Sequence, residues 1–291
     1  MRSLIIGGTG FIGPHVARQL SEAGHEVTLF HRGQSEAALP AAVRHLRSPL
    51  AAMPVTSFPR ELTAIDWDVV VHMIAMSEQD ARAAVRAFSG RAGRLVVPSS
   101  GDVYRAYGRF AGIEPGAVES GLLTEDAPLR SVLYPYRAKA RSPGELAHYY
   151  EKILVEREVL ADTKLPATVL RLPKVYGPGG NADFATVHGY RSRTSWRWTH
   201  DYVENVAAAI ALAAVHPAAA GRIYNVGEDP TPTVAERLRQ LPPSALPEQP
   251  SSGFNFAQDL AYDTGRIRRE LGYRELVGWQ EGVERTLRPG P

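Results

Sequence analysis

Leu4-Ile5-Ile6-Gly7-Gly8-Thr9-Gly10-Phe11-Ile12-Gly13 is the stretch that decides the fold. A short apolar strand runs into glycines at 7, 10 and 13. Behind them Phe11, Ile12, Val16 and Leu20 recur at helical spacing across residues 11–23, and Gly24 is a helix stop. Glu26-Val27-Thr28-Leu29-Phe30 reads as a second strand. A strand, a glycine turn and a helix in that order let backbone N–H groups face a pyrophosphate with no side chain in the way. Gly7, Thr9, Gly10, Phe11, Ile12 and Gly13 are therefore candidates for a dinucleotide-binding turn.

The residue that ends the second strand reads the ribose in such a site. An acid there would accept from the 2′-hydroxyl of NAD, but this chain has His31-Arg32-Gly33. Arg32 suits a 2′-phosphate, so NADP is expected ahead of NAD. Further continuous apolar runs at 68–74, 94–97 and 168–172 read as strands covered on both faces, as in a parallel sheet between helices. Residues 105–147 are rich in Gly, Pro and Arg with little periodicity, and are expected to form a lid over the cleft rather than a packed element. Residues 242–253 read as a linker. A helix at 263–271 closed by Gly272, and a short one at 282–287, end the chain.

Composition narrows the function classes. Hydrophobic residues make up 44% and charged residues 22% of 291, enough for a core and against intrinsic disorder. A net charge of +2 gives no reason to expect a nucleic-acid or membrane surface. With no cysteine, disulfides, thiolate metal sites and cysteine nucleophiles are excluded, and the nine histidines show no metal-ligand spacing, so no metal is expected. The first apolar run is too short for a signal-peptide core, and no stretch approaches the roughly 18 apolar residues of a membrane helix. A cytoplasmic protein acting on a small molecule is the expectation.

Several motifs follow in order: Gly7 to Gly13, Asp68 to Ala75, Ser99-Ser100-Gly101-Asp102-Val103-Tyr104, and Thr124-Glu125-Asp126-Ala127-Pro128-Leu129. Then come Arg171-Leu172-Pro173-Lys174-Val175-Tyr176-Gly177-Pro178, Tyr202 to Ala207, Tyr224 to Gly227 and Arg269 to Tyr273. With these motifs the chain resembles, over nearly its whole length, the extended short-chain dehydrogenase/reductase superfamily, the NAD(P)-dependent sugar epimerases and dehydratases. The resemblance implies a Rossmann-type doubly wound parallel α/β sheet with a small C-terminal substrate-binding part. Residues 1–176 and 199–227 would form the dinucleotide-binding domain, and 177–198 with 228–291 the substrate part. It implies hydride transfer on a nucleotide-linked sugar or related carbonyl or hydroxyl compound, with Met73, Ile74, Ala75, Ser99, Pro173 and Val175 also near the cofactor. A homodimer built through helices such as 149–161, with Leu154, Val155 and Leu160 apolar, is a further implication.

The family's catalytic set is a Ser and a Tyr four residues before a Lys, whose charge helps the phenol ionise. Ser100 and Lys152 take two of these places, Lys152 also orienting the ribose, but His148 stands where the Tyr belongs in His148-Tyr149-Tyr150-Glu151-Lys152. Three readings stay open: Tyr149 acts, one helical turn from Lys152; His148 acts, needing no pKa shift; or the site is degenerate and the protein is a non-catalytic dinucleotide binder with a regulatory or scaffold role. Tyr150 reads as a packing aromatic, and Tyr136 with Lys139 as surface. Lys174, where the family often has a substrate-contacting Asn, suits a phosphate or carboxylate. Arg191, Arg193 and Arg197, among the aromatics of 177–198, suit a nucleotide diphosphate.

Overall fold

A computed structural model describes residues 1–35, 37–48 and 53–288. Residues 289–291, assigned above to the substrate part, lie outside the described residues. Nine strands are described: β1 Arg2–Ile6, β2 Glu26–His31, β3 Arg44–Arg47, β4 Val69–His72, β5 Leu95–Ser100, β6 Ala167–Leu172, β7 Lys174–Tyr176, β8 His200–Tyr202 and β9 Ile223–Asn225. Seven of these form one sheet in the order β3-β2-β1-β4-β5-β6-β9, with every pairing parallel. The order reverses between β1 and β4, so the crevice at their carboxyl ends is where such a sheet binds ligand.

The strand alternation explains the two cores. Ile5, Val71, Val96 and Leu170 point to one face, which is covered by the helices Gly13–Glu22 and Val203–Val215. Leu4, Ile6, Val70, Leu95, Val97 and Val169 point to the other, beneath the helices Glu78–Phe88 and Lys152–Ala161. Both faces are buried, which is why these strands read as unbroken apolar runs. The close approach of the first helix to β1 rests on Gly13, where a Cβ would meet the Gly8 Cα at 2.6 Å.

Some expectations need correction. The first helix starts at Gly13 rather than residue 11, since Phe11 and Ile12 belong to the turn. β3 and β9 are too short and too polar at their ends to stand out as strands, and the sheet's neighbouring strands, not local pattern, create them. The stretch 105–147 is packed at its start and largely exposed or half-buried beyond it. It carries the helices Arg105–Phe110 and Leu146–Tyr149, and its Phe110 is buried in a stack with Trp196 and Phe254 at centroid distances of 4.9 and 5.0 Å. Residues 242–253 have no helix or strand.

One buried ion pair joins three elements. Arg171 on β6 donates to both carboxylate oxygens of Glu156 at 3.1 and 2.7 Å, and Ser99 Oγ on β5 donates to the same carboxylate at 2.5 Å. Removing one partner leaves the other charge buried and alone. Arg171→Met is expected to lower unfolding free energy by about 3–5 kcal/mol. The double variant Arg171→Met/Glu156→Leu should recover part of the loss, both read by urea denaturation.

Candidate active site

The cofactor cleft opens over the turn between β1 and the first helix. Gly7 has φ +80°, and a Cβ there would lie 2.6 Å from the Ile74 side chain, so both backbone and space require glycine. Among the described residues no atom lies within 4 Å of where a Gly10 Cβ would be. That leaves room for a phosphate beside the first-helix N–H groups. A cavity of about 790 Å³ continues along Thr9, Arg32, Ser35, Val55 and Ile74. Among the described residues no carboxylate lines it. Ser35 Oγ donates to Thr9 Oγ1 at 2.9 Å, which holds the loop after β2 against the turn. His31 packs on His45 with ring nitrogens 3.1 Å apart, and burial, His45 and Arg47 push its pKa down, so it adds little charge near neutrality.

Not every residue expected near the cofactor reaches the cleft. Met73 and Val175 are buried in the core, and Ser99 is committed to Glu156. Phe11 turns toward Gly180, and Pro173 lines a second cavity instead.

The inner end of the site is built on a break in the chain's helix. The helix Leu146–Tyr149 stops, Tyr150 and Glu151 are extended, and a new helix starts at Lys152. The cause is Glu151. Its buried carboxylate accepts from Ile153 N at 2.9 Å, from Tyr134 N at 2.5 Å and from Arg130 Nη2 at 3.2 Å. The single helical turn linking Tyr149 or His148 to Lys152 therefore does not form. His148 and Tyr149 sit on the outer piece, and the charges that Tyr149 feels are Asp80 and Arg32.

Tyr150 takes the inner place instead. Its hydroxyl faces Ser100 and Asp102, and burial with the Asp102 charge holds its pKa well above the ordinary phenol value. Tyr136 donates to Asp102 Oδ2 at 2.8 Å and its oxygen lies 3.0 Å from the Tyr107 hydroxyl, so the 105–147 stretch supplies two hydroxyls here. Asp102 Oδ1 is buried without a hydrogen-bond partner among the described residues, and burial pushes the Asp102 pKa up. Ser100 Oγ accepts from Asp102 N at 3.3 Å.

Lys152 is buried behind this group. Its Nζ donates to Ala75 O at 2.7 Å and Pro98 O at 2.9 Å and lies 6.0 Å from the centre of the Tyr150 ring. Those two bonds leave one ammonium donor. Burial, opposed by Asp102, Asp80 and Glu156, brings its pKa down to about 8. Beside it His72, both ring nitrogens unpartnered, is pushed down to about 3 by burial and the Lys152 charge, and is neutral.

Ser100, Asp102, Tyr107, Tyr136, Lys174 and Trp198 line a cavity of about 650 Å³. Arg191 and Arg193 do not reach it. Arg191 donates to His188 O and Leu246 O, and Arg193 to Ser251 Oγ with its guanidinium over Phe256, so both clamp the 246–251 coil. Sequence reasoning missed Tyr150, Asp102, Tyr136, Glu151 and Arg130. Asp102 stood inside a quoted motif, Tyr150 and Glu151 stood inside the run from His148 to Lys152, and Tyr136 was read as surface; Arg130 carries no local pattern.

A model of the NAD dependent epimerase/dehydratase family matches residues 3–90. Over 186 residues the chain is 28% identical to 2′-dehydrokanamycin reductase of Streptomyces kanamyceticus, an alignment covering 63% of this chain and 45% of that protein. It is 24% identical over 334 residues to UDP-N-acetyl-alpha-D-glucosaminuronate decarboxylase of Bacillus cytotoxicus, covering 98% and 96%. The solved NAD-dependent NDP-hexosamine 5,6-dehydratase TunA, of tunicamycin biosynthesis, superposes with a TM-score of 0.70 at 22% identity, covering 99% of this chain and 96% of that one. At that identity the likeness shows the Rossmann-type fold. These relatives are enzymes, and they give the non-catalytic alternative no support. Among the described residues no helix is long and apolar enough to cross a membrane, and no cluster of metal-ligating side chains occurs.

The Lys152 shift predicts a pH effect with a defined sign. The folded value is about 8 against an ordinary 10.5. Between those values the unfolded chain binds more protons, so stability rises with pH across the window. Urea denaturation of wild type minus Lys152→Met from pH 8 to 10.5 should show that rise, and a flat difference would contradict it.

Proposed function

We propose that this protein is an NADP-dependent epimerase, dehydratase or reductase acting by hydride transfer on a nucleotide-linked sugar or a related carbonyl or hydroxyl compound. The observation that carries the reading is the convergence of the Tyr150, Ser100 and Asp102 side chains at the inner end of the cleft. The cleft fits a nicotinamide dinucleotide, with an open Gly10 for the phosphates and Arg32 on a carboxylate-free rim for a 2′-phosphate. When bound, that group supplies the hydride chemistry.

The chain's own residues handle the proton and the geometry. Ser100 bonds the reacting oxygen and holds it against Tyr150. Tyr150, kept protonated by burial, donates to an oxygen that gains negative charge on reduction. Asp102, raised by the same burial, is placed to return a proton to Tyr150. Lys152 adds a positive field behind the phenol below about pH 8 and keeps a free donor for a ribose hydroxyl. Residues 177–198 and 228–288 form the substrate-binding part, and a homodimer through the helices Glu78–Phe88 and Lys152–Ala161 belongs to this reading.

Two measurements test it. NADP(H) should bind about tenfold or more tightly than NAD(H), the worth of one charge-assisted bond. Arg32→Ala should erase the difference, and equal affinities in wild type would sink the preference. In an assay following NADPH absorbance over a panel of nucleotide-linked sugars and their keto forms, Tyr150→Phe should lower kcat by about 10²-fold or more while NADPH affinity holds. His148→Phe and Tyr149→Phe should retain turnover. The opposite pattern would move the proton carrier to one of those residues.

A further inference from the structure

We propose that the substrate is a sugar acid or comparable hydroxy acid, and that Lys174 holds its carboxylate. The inference rests on the functional reading above and narrows its substrate class. Lys174 begins β7, paired in register with His200 on β8, and lines the same cavity as Ser100 and Asp102. Its ammonium makes no hydrogen bond and no ion pair among the described residues. The Trp198 ring centroid lies 5.9 Å from Nζ, and Asp183 is the carboxylate whose field reaches it. Partial burial pushes its pKa down. A half-buried ammonium with three donors and no acceptor is costly, and an arriving anion offsets that cost.

The rest of the cavity says what kind of anion. Among the described lining residues Lys174 is the sole cation and Asp102 the sole carboxylate. Tyr107, Tyr136, Trp198 and Tyr262 supply the broad walls, and their faces suit a sugar ring. Arg191 and Arg193, two of the arginines that could have gripped a diphosphate, are spent on the 246–251 coil. A phosphate or diphosphate calls for several charged donors, often paired from a guanidinium. One ammonium, facing a cavity that already holds a carboxyl, matches a single negative charge. The carboxylate thus sits on the reacting part of the substrate, close to the oxygen that Ser100 bonds, and orients the ring.

The test is calorimetric titration of the protein, with and without NADP⁺, by D-glucuronate, D-glucose and D-glucose 6-phosphate. Glucuronate should bind about tenfold or more tightly than glucose, the worth of one charge-assisted bond. Lys174→Met should bring glucuronate down to the glucose level and leave NADP⁺ affinity unchanged, which also reports that the variant is folded. Lys174→Arg should keep part of the preference. Equal binding of glucuronate and glucose in wild type, no binding of glucuronate, or a preference that survives Lys174→Met would overturn the assignment. Tighter binding of glucose 6-phosphate than of glucuronate would make the anion a phosphate and overturn it too. Failure of the functional reading would appear elsewhere, in dinucleotide affinity and in Tyr150→Phe turnover, neither of which involves Lys174.

Discussion

The buried carboxylate of Glu151 is the constraint on which the active-site architecture depends. It caps the helix Lys152–Ala161 through Ile153 N, and it also receives Arg130 and the Tyr134 amide from the 105–147 wall. Arg130 in turn binds the carbonyls of Asp102 and Val132. A single side chain therefore fixes where the helix begins, where the wall docks, and how the turn after β5 is held. The extended backbone it imposes at 150–151 swings the Tyr150 ring inward and leaves His148 and Tyr149 outside. A continuous helix would have offered Lys152 a partner one turn away. The break gives it a neighbour two residues away.

Burying this many charges is tolerable because they are satisfied in shared networks. Arg171, Glu156, Ser99 and the carbonyl of Glu125 form one. Asn225 extends it, accepting from Tyr104 at 2.6 Å and donating its backbone N–H to the Glu125 carboxylate at 2.9 Å. A second links Asp201, Asn205 and Tyr273, with Asn205 also accepting from the Leu276 and Val277 amides at 2.9 Å. The motifs that carry the family resemblance are thus largely the parts that tie the sheet to the segments crossing its carboxyl end. They position the cavity, and the side chains that face its interior lie between or beside them.

Charge is segregated along the site. The dinucleotide end carries Arg32 and no described carboxylate, whereas the inner end carries Asp102 among tyrosine hydroxyls, with Lys152 behind and Lys174 across the cavity. Burial at the inner end raises Asp102 and lowers Lys152 and Lys174, which draws their proton affinities toward the neutral range, while the same burial lifts the Tyr150 phenol further above it. Asp102 Oδ1 is buried with no hydrogen-bond partner among the described residues.

The sequence by itself determined the sheet and its nucleotide turn. Buried parallel strands leave continuous apolar runs, and glycine spacing between a strand and a helix is a local signature, so β1, β2, β4, β5 and β6 and the turn that carries Gly7, Gly10 and Gly13 were all readable from neighbouring residues. Ser100, Lys152 and Lys174 were singled out as candidates the same way, by offset within motifs. Only the tertiary structure decided which groups meet. The helix between Tyr149 and Lys152 looked continuous because nothing in His148-Tyr149-Tyr150-Glu151-Lys152 breaks a helix by propensity. What breaks it is a cap reinforced by Arg130 from a distant segment. Tyr136 likewise read as surface because its partner Asp102 is 34 residues away in the chain. Arg191 and Arg193 read as free because the coil they bind lies more than fifty residues further on. Long-range electrostatic pairing leaves no period in a sequence, and here it chose the active-site residues.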